Sequence, residues 1–144
     1  MGLAERRALK EYQEKKFPAV KAALDKAAGF EVPLEVEWDK IAGEGEASSY
    51  DQDYYFTDTY FTPLTDALKQ IAGEDMGRAA LKKGLKKVLV TFDAATAPAT
   101  NYKNGWPFKN GVLTINYQAG VNTQDPSAHA ERVEALVENL EAGL

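Results

Sequence analysis

Apolar and polar residues alternate along this chain with two different periods. In residues 31–39 they alternate strictly: Val32, Leu34, Val36 and Trp38 point one way, and Glu31, Pro33, Glu35, Glu37 and Asp39 the other. That is the pattern of a half-buried strand, and Pro33, which has no N–H to donate, means that it starts late or lies at a sheet edge. Residues 86–93 and 111–118 repeat the pattern. Val88, Val90 and Phe92 share one face of the first, and Leu113, Ile115 and Tyr117 one face of the second. Both are rich in β-branched and aromatic residues, so they form the centre of the sheet.

Elsewhere the period is helical. In residues 3–28, Leu9, Tyr12, Phe17, Val20, Leu24 and Ala27 fall on one side, with a kink or two abutting helices expected near Phe17 because Pro18 lacks a backbone donor. Gly29 suits the end of that helix. Thr62-Pro63 starts a second helix running to Ala72, residues 74–83 form a third ending at Gly84, and Asp125-Pro126 opens a last one with Val133, Leu136, Val137 and Leu140 as its stripe. Residues 50–61 fit either a helix begun by a Ser49–Gln52 capping box or a strand or ordered loop favoured by their aromatic density.

Seventeen residues, 94–110, separate the two central strands. An excursion of that length hides a small element. Trp106-Pro107-Phe108-Lys109, followed by Asn110-Gly111, reads as one arm of a hairpin on a type I′ turn. The part before it, residues 94–101, has little to bury and is expected to be mobile. Together the elements predict one α+β domain over residues 1–144, a two-layer sandwich in which an antiparallel sheet of three to four strands carries helices on one face.

Charge sharpens this picture. Residues 31–60 hold nine acids (Glu31, Glu35, Glu37, Asp39, Glu44, Glu46, Asp51, Asp53, Asp58) against Lys40, whereas residues 78–109 hold seven bases against Asp93. The two blocks either compensate each other or give the molecule a pronounced dipole. The whole chain carries a net charge of −5 and a pI near 5.0. That balance argues against nucleic acid, and the lysines at 82, 83, 86 and 87 are explained by helix-end compensation. The chain has no cysteine, which excludes disulfides, thiolate catalysis and cysteine-held metals. No stretch approaches a membrane span and the first residues are charged, so a cytoplasmic location without membrane partners is expected.

Familiar chemical motifs fail on inspection. Gly43-x-Gly45 lacks a third glycine at Ser48 and is flanked by Glu44 and Glu46, which repel phosphate. A calcium loop begun at Asp51 would need Asp or Asn where Tyr55 stands and glycine where Phe56 stands. His129 is the single histidine, in the first turn of the last helix, with no serine nucleophile motif to serve. No cofactor and no metal are implied. What remains is an acidic, aromatic surface. Glu35, Glu37, Asp51, Asp53 and Tyr55 are its candidates, with Trp106 as a recognition lip unless it simply extends the core. The expected function is a small intracellular binding or regulatory protein whose acidic surface meets a basic protein partner. The alternative is a small-molecule site or enzyme pocket between sheet and helices, lined by Tyr54, Tyr55, Trp106 and Tyr117. A homodimer is a further possibility.

Overall fold

The computed structural model describes residues 1–99 and 101–144. In chain order the helices are α1 (Leu3–Glu11), α2 (Phe17–Ala28), α3 (Trp38–Ala42), α4 (Ala47–Tyr50), α5 (Thr62–Ile71), α6 (Asp75–Gly84), α7 (Tyr102–Gly105) and α8 (Pro126–Gly143). The strands are β1 (Leu34–Val36), β2 (Lys87–Thr91), β3 (Phe108–Lys109) and β4 (Val112–Asn116). They form one sheet in the order β1-β2-β4-β3.

The sheet is mixed, which corrects the expectation of an antiparallel one. β1, β2 and β4 run parallel, and only β3 is antiparallel, to β4. Parallel sheets are usually buried on both faces and read as continuous apolar runs. Here only one face is covered. Val88, Val90, Leu113 and Ile115 are buried in one core with apolar residues of α2, α5 and α8, while Glu35, Lys87, Leu89, Val112 and Thr114 on the other face are not buried. One open face imposes the same alternation as an antiparallel sheet, so the pattern could not tell them apart. The direction is set by the connections. Helices α3 to α6 carry the chain from β1 back to the start of β2, a crossover that a parallel pair requires.

The β3–β4 hairpin follows expectation. Lys109 pairs with Val112, and the two-residue loop has positive φ at both Asn110 (54°) and Gly111 (81°), as a type I′ turn demands. The excursion before it contains α7 as well as β3. The mobility expected for residues 94–101 includes Thr100, which lies outside the described residues. β1 is shorter than the alternation suggested. Trp38 opens α3 instead of ending the strand, although the Glu37 N–H still bonds the Val90 carbonyl (3.0 Å).

Residues 50–61 are mixed: Tyr50 ends α4, residues 51–56 form turns with a bend at Gln52, and Thr57–Phe61 is a π-helical turn, a device repeated elsewhere. A π-helical turn, Tyr12–Lys16, precedes Phe17-Pro18, and another, Thr57–Phe61, precedes Thr62-Pro63. In each, the residue ahead of proline donates five residues back: Phe17 N–H to the Tyr12 carbonyl, Thr62 N–H to that of Thr57. The wider turn carries the helix past a residue that has no N–H and a ring that crowds the preceding turn. The two π turns face one another. The Tyr12 and Thr57 hydroxyls are hydrogen-bonded at 2.8 Å, and the Phe17 and Phe61 rings lie 5.2 Å apart.

Candidate functional site

β1, β2 and β4 end on the same side of the molecule. From there the chain leaves into residues 37–46, 92–98 and 117–125. Crevices outside the carboxyl ends of parallel strands are the usual ligand sites of open α/β sheets. The loops are held firmly. Asn116 accepts from the Asp93 N–H (2.8 Å) and donates to the Thr96 hydroxyl (2.9 Å). Buried Thr59 donates to the Tyr55 carbonyl (2.8 Å) and accepts from the Gly120 N–H (2.9 Å). The Tyr60 hydroxyl donates to the Tyr117 carbonyl (2.6 Å).

Between these loops lies a groove of about 570 Å³. Ile41, Tyr55, Phe92 and Ala119 give it an apolar floor, and Glu44 and Gln118 are its polar walls. A second hollow of about 290 Å³ shares Phe92, Ala94 and Gln118 and continues to Tyr117 and Val121. Tyr55 shapes the first groove. Its hydroxyl donates to the Ala42 carbonyl (2.8 Å), and burial, with Tyr50 and Tyr54 beside it, pushes its pKa up to about 12. A Cβ on Gly45 would collide with that hydroxyl and sit 2.8 Å from the Tyr50 ring, so glycine is required where the loop crosses the tyrosines.

No family model, curated protein or solved structure matches this chain.

The candidate residues fall into separate places. Glu35 is exposed on the open sheet face, 3.3 Å from Lys87. Glu37 stands at the end of β1. The Thr91 hydroxyl and then Lys40 stabilise its charged form and lower its pKa. Asp51 and Asp53 share the turn after α4, where Lys16 bonds the Asp51 carbonyl and lies 3.9 Å from the Asp53 carboxylate. No ion pair or hydrogen bond among the described residues joins the Glu35–Glu37 pair to the Asp51–Asp53 pair. Tyr55 alone of the six lines the groove. Trp106 is 1% exposed, and its indole N–H donates to the Asn116 carbonyl (3.0 Å) within a cluster with Tyr102 and Tyr117. It therefore extends the core and presents no lip. The pocket lining expected from Tyr54, Tyr55, Trp106 and Tyr117 is likewise divided between the surface hollows and this cluster.

His129 meets Asp66 (2.9 Å) across α8 and α5. Among the described residues no three His, Cys, Asp or Glu side chains converge as a metal site. Among those residues, too, no helix is long and apolar enough to cross a membrane. Asp58 is the one carboxyl pushed upward, by burial and then by the nearby Asp53 charge.

One residue escaped the sequence reading. Arg132 is fully buried, donates to the carbonyls of Val121 (3.2 Å) and Asn122 (3.1 Å), and lies 5.8 Å from the centres of the Tyr102 and Tyr117 rings. Its Nε has no partner, and no ion pair among the described residues includes it. The signal was present: position 132 lies one turn before Leu136 and three residues before Ala135, on the buried stripe of α8. Its job is to tie the loop after β4 to the last helix.

Proposed function

We propose that this protein is a non-catalytic binding protein that receives a basic segment of another protein on the acidic surface of residues 31–58, centred on the groove at the carboxyl ends of the parallel strands. One observation carries the reading: the groove joins an apolar floor to a carboxylate, Glu44, that has no ion-pair partner among the described residues, as is true of neighbouring Asp39 and Glu46. A lysine or arginine stem can lie on Ile41, Tyr55 and Phe92 while its charge meets Glu44. Glu35, Asp51 and Asp53, exposed at separate places outside the groove, add long-range attraction and speed encounter with a basic partner. Nucleic acid and anionic membrane surfaces would be repelled by the same field.

The test is capture from extract of the source cells at low and at high salt, with eluates identified by mass spectrometry. Wild-type protein is compared with a variant carrying Glu35→Lys, Glu44→Lys, Asp51→Lys and Asp53→Lys. Glu37 is left alone because its carboxylate is tied to Thr91 and Lys40. A basic protein held at low salt, released at high salt and lost with the reversed charges supports the reading. Equal recovery by both forms would falsify it. The groove's volume also falls within the range of small-molecule sites, which supports a second reading. Thermal stabilisation by a metabolite, abolished by Tyr55→Ala, would favour that one.

A further inference from the structure

β1 is an end strand, and two hydrogen bonds fix which way its backbone faces. The Val88 N–H donates to the Pro33 carbonyl (2.8 Å), and the Glu37 N–H donates to the Val90 carbonyl (3.0 Å). Since backbone groups alternate in direction along a strand, residues 33, 35 and 37 bond to β2, and the N–H and C=O groups of Leu34 and Val36 point away from it. Among the described residues no other strand pairs with that side, and no hydrogen bond to those four groups is made. Just upstream the edge is closed, where the Val32 N–H donates to Asp25 (2.9 Å).

An open strand edge is a template for another strand unless something blunts it. The side chains say which strand it accepts. Leu34 and Val36 are only half-buried on the helical side of the sheet, so they offer apolar surface to a neighbour. Glu35 is exposed on the opposite face. We propose that β1 accepts an extended segment of a partner protein as a fifth strand, with apolar side chains beside Leu34 and Val36 and a lysine or arginine beside Glu35. This rests on the acidic-surface reading and specifies how that surface engages its partner. A second copy of this chain is the wrong occupant. Antiparallel pairing of two β1 edges about Glu35 sets Glu35 against Glu35, and like charges directly opposite destabilise a sheet. Glu35 is paired with Lys87 across the ladder, but both side chains are well exposed and the pair is weak, so the carboxylate can still select a basic strand from another protein; the groove beyond Glu37 receives the continuation of that segment.

The probe is a capped peptide of about nine alternating valine and lysine residues. Its control has the same composition and charge but N-methyl groups on alternate residues, which removes the hydrogen-bonding edge. Binding is followed by titration and by amide exchange of the labelled full chain. At saturation the Leu34 and Val36 amides should slow by about tenfold or more, and the N-methylated peptide should bind about tenfold more weakly. Val36→Pro should weaken the valine–lysine peptide by a similar factor while leaving the charge unchanged, because the N–H it removes points away from β2. Should that variant fail to fold, the exchange measurement on the wild type decides. If both peptides bind equally and the Leu34 and Val36 amides stay unprotected, strand addition is overturned while the acidic-surface reading stands. If neither peptide binds at low salt, both fall.

Discussion

Raising the pH above about 10 should unfold this protein through its buried tyrosines. Tyr12 and Tyr60 are each 1% exposed, and both hydroxyls are hydrogen-bonded inside the fold, to Thr57 and to the Tyr117 carbonyl. Burial pushes Tyr12 up to about 12, and pushes Tyr60, in the same direction, further still. In the unfolded chain a tyrosine loses its proton near pH 10. Between that value and the folded one, the unfolded state binds fewer protons than the native state, so stability falls as pH rises; below the unfolded value the contribution is fully present. Each such tyrosine removes about 1.4 kcal/mol per pH unit, or about 2.5 kcal/mol by pH 12. Two of them remove about 5 kcal/mol, comparable with the whole stability of many domains.

Lysines titrate in the same range, so the assay must isolate the tyrosines. Urea melts at several alkaline pH values, on wild type and on Tyr60→Phe, give two slopes of stability against pH. At neutral pH the substitution costs about 1–2 kcal/mol, because it strands the Tyr117 carbonyl. Above pH 10 its slope should be shallower than that of the wild type by about 1.4 kcal/mol per unit, so the two lines converge. Phenolate absorbance of the native protein provides the cross-check, since signal from the buried hydroxyls should arrive with the loss of ellipticity. Identical slopes, or full ionisation of all seven tyrosines with ellipticity intact, would refute the burial argument.

Two further outcomes follow from the last helix. Arg132→Met exchanges two hydrogen bonds for relief of a buried, unpaired charge, so global stability should change by less than about 2 kcal/mol. Arg132→Ala also leaves a cavity and should cost about 2 kcal/mol more than Arg132→Met, as read by urea denaturation. Equal losses in both would show that the charge, not the packing, matters. In Arg132→Met the amides of residues 121–125 should exchange faster even where stability holds. Asp125 caps α8 by accepting from the Ser127 hydroxyl (2.8 Å) and N–H (2.9 Å), which lowers its pKa. Asp125→Ala should therefore lower the thermal midpoint at neutral pH. The gap should close as pH falls through the depressed folded value, because the cap's contribution is complete above the unfolded carboxylate range and is lost between that range and the folded value.

The local elements were legible because each leaves a mark one turn or one residue long: the 3.6-residue stripes, Asp125-Pro126, Asn110-Gly111. The strand directions were not, because they depend on where a connection returns and not on any residue within the strand. The π turns were half legible. Pro18 announced a disturbance near Phe17, but nothing in Tyr12–Lys16 distinguishes a kink from a widened turn; the partner π turn, held by the Tyr12–Thr57 bond, exists only in three dimensions. The groove was harder still. Tyr55 was singled out for its aromatic neighbours, but Phe92, Gln118 and Ala119 reach it only because β2 and β4 end beside it. Arg132 was overlooked because a charged residue on an apolar stripe reads as surface until its carbonyl acceptors are known.

Parallel strands also explain what the charge blocks do. In an antiparallel sheet, acids after one strand and bases before the next would meet at the same end. Here the bases at Lys82, Lys83, Lys86 and Lys87 lead into the amino end of β2, and Lys109 lies beside the amino end of β4 through its pairing with Val112. The acids Glu37, Asp39, Glu44, Glu46 and Asp93 all follow the carboxyl ends of β1 and β2. Among the described residues the blocks compensate each other at one ion pair across the ladder, Glu35 to Lys87, with both side chains well exposed and so worth little. The charges that flank the strands are sorted along the strand direction, except Glu31, which lies ahead of β1. A field of that polarity draws a cationic segment toward the carboxyl ends, where the groove lies and where the free edge of β1 points the chain into it. The acidic block, the groove and the open edge therefore follow from one topological fact, the crossover that returns the chain to run beside β1 in the same direction.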